Sequence, residues 1–172
     1  DDAGQDYMAR NEEIEAVEGH ISIDVSAAAD ALPEKTGLQL NARTLVGTID
    51  APPSEVRAEL RSMERVYPNT LASIQYDIDE ETGERVWEVG SYGYRPEGFF
   101  GMWQYHVRLT PAAGGRETRV WSHYERSAWR APVRHYRGEG WDADHGVREI
   151  ASLFASDERF EASDRVTMLL GG

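Results

Sequence analysis

The chain has no cysteine, a single lysine (Lys35) and no long apolar run. Without cysteine there can be no disulfide, no thiolate nucleophile and no Cys-based zinc site. Apolar stretches such as Met168–Leu170 fall far short of the ~18 residues that a bilayer-crossing helix needs, so no transmembrane segment is expected. Positive charge is scarce: 18 basic residues face 31 acidic ones, for a net charge of −13. Such a surface repels phosphate backbones and anionic lipid heads, which argues against nucleic-acid binding and membrane-surface docking. The scarcity of lysine beside 17 arginines fits GC-rich coding, and high acidity with little lysine also suits a salty habitat. GxGxxG, GxxxxGK[ST] and GxSxG are all missing, so nucleotide-binding and α/β-hydrolase readings lack support. No motif names a cofactor.

A chain of 172 residues, 40% of them hydrophobic, is expected to form mainly one domain with its own core. The first residue is Asp1, as in a mature end left after signal removal and export, or in a trimmed end.

Residues 1–37 form an acidic arm. Their ten acidic residues and two basic ones give −8, over half the net charge in about a fifth of the chain. Ile14, Val17 and Ile21 have helical spacing, Ile21, Ile23 and Val25 alternate as in a short strand, and Ser26–Gly37 reads as a linker. The arm is either a loosely attached tail or a docking segment for a protein partner.

The main domain is expected over 38–172. Leu40–Ile49 reads as a strand. Pro52 and Pro53 then suit a helix's first turn, where an N–H has no partner, and Glu55 complements the helix dipole. Val56, Leu60 and Met63 continue an amphipathic helix ending near Pro68. Ile74–Ile78 and Val86–Tyr92 read as a hairpin around a turn at 79–83. Phe99–Thr110 and Glu117–Ala128 are two more strands around a turn at 111–116. Asp142 or Asp144 caps a helix whose Val147, Ile150, Ala151 and Phe154 share one face, and Glu158–Leu170 is read as helical.

The order is strand, helix, antiparallel strands, helix. Together with Thr48-Ile49-Asp50-Ala51-Pro52-Pro53-Ser54-Glu55-Val56, Tyr105–Pro111, Thr118–Ser122 and Gly146–Ile150, it resembles the Bet v1-like, START-related superfamily (the SRPBCC or polyketide cyclase/dehydrase-like group) over 38–155. The resemblance implies an α+β fold in which an antiparallel sheet of five to seven strands grips a C-terminal helix. It also implies that loops between strands edge the mouth of a cavity; Gly90–Gly101 would be such a flexible lip here, or else a partner-binding loop.

Twelve of the 17 aromatic residues lie within 87–141, so the aromatic half is where a ligand or partner would be met. Trp and Tyr offer broad apolar area with one polar tip, which suits pocket walls and interfaces. The candidate ligand-binding residues are Trp87, Tyr92, Tyr94, Phe99, Phe100, Trp103, Tyr105, Tyr124 and Trp129. Strand alternation puts Trp103, Tyr105, Val107 and Leu109 on one face and Gln104, His106 and Arg108 on the other. It likewise separates Thr118, Val120, Ser122 and Tyr124 from Arg119, Trp121, His123 and Glu125. The Trp103 and Val120 faces are assigned inward, which leaves Trp121 on an outer, charged face as a possible contact for a protein partner. His106 and His123, on neighbouring strands, and Glu125 are residue types that bind zinc, although no HExxH-type spacing accompanies them, and surface or half-buried histidine is the plainer reading. Asp142 and His145 are more simply a helix cap than an acid–base pair. Arg126, Arg130, Arg134 and Arg137 gather positive charge for pairing with the arm or for an anionic ligand.

The leading expectation is non-enzymatic binding of a hydrophobic or aromatic small molecule or lipid between sheet and closing helix. The rivals are an accessory subunit, docking through the aromatic strips and the arm, and a cyclase- or hydratase-type enzyme. No catalytic residue and no metal is assigned.

Overall fold

A computed structural model describes residues 40–68, 76–78, 85–127 and 130–171. The arm at 1–37 and Trp129 lie outside these residues.

The described chain is α+β. Six strands form one antiparallel sheet: β1 (Leu45–Ile49), β2 (Val66–Pro68), β5 (Gly90–Tyr94), β6 (Trp103–Ala112), β7 (Glu117–Arg126) and β8 (Phe160–Ala162). Their order across the sheet is β2-β5-β6-β7-β1-β8. A separate ribbon pairs β3 (Tyr76–Ile78) with β4 (Arg85–Trp87). Four helices accompany them: α1 (Pro53–Ser62), α2 (Pro132–Tyr136), α3 (Ala143–Phe154) and α4 (Asp164–Leu170). Helix α3 packs on β7, β1 and β6 of the sheet, which fits a helix-grip-like arrangement. Among the described residues no helix is long and apolar enough to cross a membrane.

Local chemistry explains the principal elements. Pro53 opens α1 and Glu55 sits in its first turn, as expected. The helix stops at Ser62, earlier than its apolar spacing suggested, because the chain turns at 63–65 to lay Val66–Pro68 along the sheet edge. Pro68 is tolerated there, on a strand that, among the described residues, pairs only with β5. Asp142 caps α3 by accepting from the His145 N–H at 3.0 Å. Along α3, Val147, Ile150 and Phe154 are essentially inaccessible, each burial stabilising by about 1.5–3 kcal/mol. They meet Val107 and Leu109 of β6, Val120 of β7 and Val56 and Leu60 of α1 in one core.

Several element boundaries differ from the sequence expectation. Residues 41–44 form a turn closed by Asn41 and Thr44, so β1 begins only at Leu45. The expected arm Val86–Tyr92 divides into β4 and β5, which lie in different sheets. Strand β6 starts at Trp103 and runs through Pro111 to Ala112. The segment 158–170 is a short edge strand followed by a helix, because 160–162 pairs with β1 before Ser163 caps α4. Pro132 opens the short helix α2, where its missing N–H needs no partner. Arg159 anchors the C-terminal segment: it bonds to Asp157 at 2.7 Å, to Glu59 of α1, and reaches Glu55 at 3.6 Å.

Candidate functional site

The paired strands β5, β6 and β7 carry two different surfaces. Direct cross-strand partners share a face. One face therefore holds Tyr92, Tyr94, Trp103, Tyr105, Val107, Leu109, Val120, Ser122, Tyr124 and Arg126. The other holds Ser91, Gly93, Gln104, His106, Arg108, Trp121, His123 and Glu125.

On the first face, the middle is filled by core side chains and the aromatic residues gather at the end where α3 begins. Tyr94, Tyr105, Tyr124 and Trp103 form a ladder with ring centres 5.7, 4.8 and 4.8 Å apart, the last pair stacked at 8°. Tyr94, Trp103 and Tyr124 are half-buried and Tyr105 is buried. The Tyr105 hydroxyl lies 2.8 Å from His145 Nε2, and the His145 ring packs 4.2 Å from that of Tyr124. Burial, then the charge of Glu149, pushes the Tyr105 hydroxyl up to about 12, so it stays a neutral hydrogen-bonding group. Arg126 stands 4.3 Å over the Trp103 ring, a cation–π contact.

The structure thus brings together four of the nine candidate ligand residues. Tyr92 is sealed in the core at 2% exposure. Phe99 and Phe100 sit on the loop before β6, Phe99 edge-on to Tyr67 and Phe100 exposed at 74%. Trp87 is placed by its backbone in β4, opposite Tyr76. The addition of His145 to the ladder was not foreseen. Its only sequence signal was its position three residues after the capping Asp142.

The second face corrects the expectation of an outer, solvent-facing surface. Gln104, His106, Arg108, Trp121, His123 and Glu125 are all buried, at 4–8% exposure. Trp121 packs with Leu40 and Leu45, and its indole N–H donates to Thr110 Oγ1 at 2.8 Å, so it is no exposed contact for a partner. The sheet is buried on this side too, where Leu40 packs on Trp121, Trp141 lies against His123 and His135 stands beside Glu125. The Trp141 ring lies 5.3 Å from that of His123.

Buried polar groups need hydrogen-bond partners, and Gln104, His106, His123 and Glu125 find them in one another and in their neighbours. Glu125 is the hub. Its Oε1 accepts from Gln104 Nε2 at 2.8 Å and lies 3.3 Å from His106 Nδ1, while its Oε2 lies 2.9 Å from His123 Nε2. Ser91 Oγ bonds His106 Nε2 at 2.8 Å, and Arg95 Nε donates to Gln104 Oε1 at 3.0 Å. His135, whose Nδ1–H donates to the Arg126 carbonyl at 2.7 Å, stands 3.6 Å from Glu125 Oε2. Burial and the nearby Arg108 charge push His106 down to about 4, so it is neutral near pH 7. Burial opposes the charge on Glu125, but His123 and His106 outweigh it and hold the carboxyl well below its usual range.

The two faces meet at the start of α3. Asp142 bridges to Tyr124 along the free edge of β7, with Trp141 on one side and His145 on the other. Gly146 then lands on the backbone of His123, so close that a β-carbon would stand 2.4 Å from its Cα. His123 turns its side chain to the opposite face, which leaves this backbone bare for the helix.

No protein-family model, curated protein or solved structure matches the chain. The functional argument therefore rests on these two surfaces. Of the expected cationic cluster, Arg126 stands over Trp103 and Arg134 reaches Glu139 at 3.7 Å.

Proposed function

We propose that the chain binds a small, flat, largely apolar molecule at the aromatic end of the sheet, where α3 begins, without transforming it. The observation that carries this reading is the continuous Tyr94–Tyr105–Tyr124–Trp103 ladder, half-buried except at the buried Tyr105, with one polar tip pair at its centre in Tyr105 and His145. Aromatic faces supply non-directional contact area, and a single hydrogen-bonding pair orients a bound ring. Core side chains occupy the middle of the sheet–helix interface, which favours a ligand at this end rather than along the length of α3. The packing of α3 on the sheet fits a helix-grip-like arrangement, which favours a ligand between sheet and helix.

Native mass spectrometry of gently purified full chain tests the reading, together with titration of the apolar dye 1-anilinonaphthalene-8-sulfonate. A retained small-molecule mass or saturable 1:1 dye binding, lost in Trp103→Ala, is expected. No retained mass and no saturable binding would overturn it.

The exposed Phe100, beside Phe99 and Tyr67, favours a second reading, docking on a larger protein through the 95–101 loop. Under that reading a co-purifying partner is lost in Phe100→Asp or on deletion of 1–37, while dye binding is unaffected.

A further inference from the structure

The buried cluster on the opposite face has no part in the ligand reading. We infer that His106, His123 and Glu125 form a binding site for one divalent transition-metal ion of the zinc type.

The backbone creates the site. His123 and Glu125 are two residues apart on β7 and so share a face, and His106 is the direct cross-strand partner of His123 on β6. Two positions on one strand and one on its neighbour make a compact triangle whose side chains rise from the same side. All three are buried, and their ligand atoms lie within 4.8 Å of one another.

Metal geometry supplies the next argument. With Zn–N and Zn–O bonds of about 2.0–2.1 Å, tetrahedral ligand atoms stand about 3.3 Å apart and two imidazoles on one ion have ring centres about 5 Å apart. His106 Nδ1 and Glu125 Oε1 are 3.3 Å apart, and the His106 and His123 ring centres are 5.1 Å apart. The His106–Glu125 spacing is also longer than a strong charge-assisted hydrogen bond of about 2.7–2.9 Å.

The surrounding shell has the form that metal sites use. A ligating histidine commonly gives its other ring nitrogen to an oxygen partner, which fixes the ring. Ser91 Oγ holds His106 Nε2 at 2.8 Å and leaves Nδ1 facing Glu125. Gln104 orients Glu125, and Arg95 in turn orients Gln104. Two nitrogen ligands and one carboxylate suit zinc and its neighbours rather than magnesium or calcium, which prefer all-oxygen shells. Three protein ligands leave a fourth position open, with His135 at the rim of the cluster. The positive charges of Arg95 and Arg108 on the same side make the site weaker than a fully anionic one.

The test uses the full chain stripped with EDTA and titrated with Zn²⁺, read by calorimetry, with metal content after gel filtration measured by mass spectrometry. Co²⁺ gives a visible absorption signature of four-coordination. The expected result is one ion per chain, with binding lost in His123→Gln and Glu125→Gln and kept in His145→Ala. Ser91→Ala is expected to weaken binding about 10–100-fold. Wild-type protein that takes up no stoichiometric zinc would overturn the inference, as would zinc retained by both ligand variants. If the ligand variants do not fold, Ser91→Ala decides: weakened binding supports the site, and unchanged affinity overturns it. Dye binding at the aromatic end is expected to persist in Ser91→Ala, so the two sites can fail independently.

Discussion

Replacing Gly146 with alanine tests whether helix and sheet meet as closely as the structure places them. The new Cβ would lie 2.4, 2.6 and 2.8 Å from His123 Cα, C and N. Carbon pairs rest at about 3.5–4.0 Å, so the helix must retreat by about 1 Å, and the obstacle is backbone that has no rotamer to change. Overpacking of this kind costs typically 1–3 kcal/mol and sometimes more. Alanine returns up to about 1 kcal/mol through its better helix propensity. The expected net loss is about 1–2 kcal/mol, or about 2–8 °C in Tm for a chain of this size. Urea and thermal unfolding followed by circular dichroism measure it. Ser152→Ala, on the exposed side of α3, serves as the control and should change stability by less than about 0.5 kcal/mol. A Gly146→Ala protein as stable as the wild type, or more so, would refute the close approach of α3 to β7.

Three further outcomes are expected. Phe154→Ala removes a core ring that is 1% exposed and should cost about 3–5 kcal/mol by denaturant titration. Ser163 Oγ accepts from the Val166 N–H at 3.2 Å and donates to the Leu45 carbonyl at 2.6 Å, so Ser163→Ala should cost about 1 kcal/mol or more and loosen the β8 edge in hydrogen exchange. Asp157 is held below the usual carboxyl value chiefly by its side-chain bonds to Arg159. Its stabilising contribution is therefore present above the unfolded pKa and is lost as pH falls through the lower folded value. In an NMR titration Arg159→Gln should move the Asp157 midpoint upward, and an unmoved midpoint would show that the pair is not formed.

Local chemistry was legible wherever a short-range pattern determined the outcome. The strand character of Trp103–Thr110 and Glu117–Arg126, the face assignments along them, the proline-led α1 and the Asp142-capped α3 all follow from alternation, helical spacing and caps. The inward assignment of the Trp103 and Val120 faces holds as well. Patterns of period two say which residues share a face, but not whether that face meets water. Gln104, His106, Arg108, His123 and Glu125 therefore read as an outer surface, whereas the fold covers them with Leu40, Trp141 and the α2 segment. Polar residues survive such burial by bonding, and the bonds among Gln104, His106, His123 and Glu125 extend to Ser91, Arg95 and His135 from elements far apart in the chain.

Edge strands were illegible for a related reason. Val66–Pro68 and Phe160–Ala162 are only three residues long, and what makes them strands is a partner already in place, β5 for one and β1 for the other. The sequence alone determined that the chain has no cysteine-based chemistry, repels polyanions and concentrates its aromatic residues in one half. Tertiary structure decided which four of those aromatics stack at the start of α3. It also brought two histidines and a glutamate together beneath the opposite face. Both outcomes depend on strand register and on layers that close over the sheet, and those are long-range contacts that no local pattern encodes.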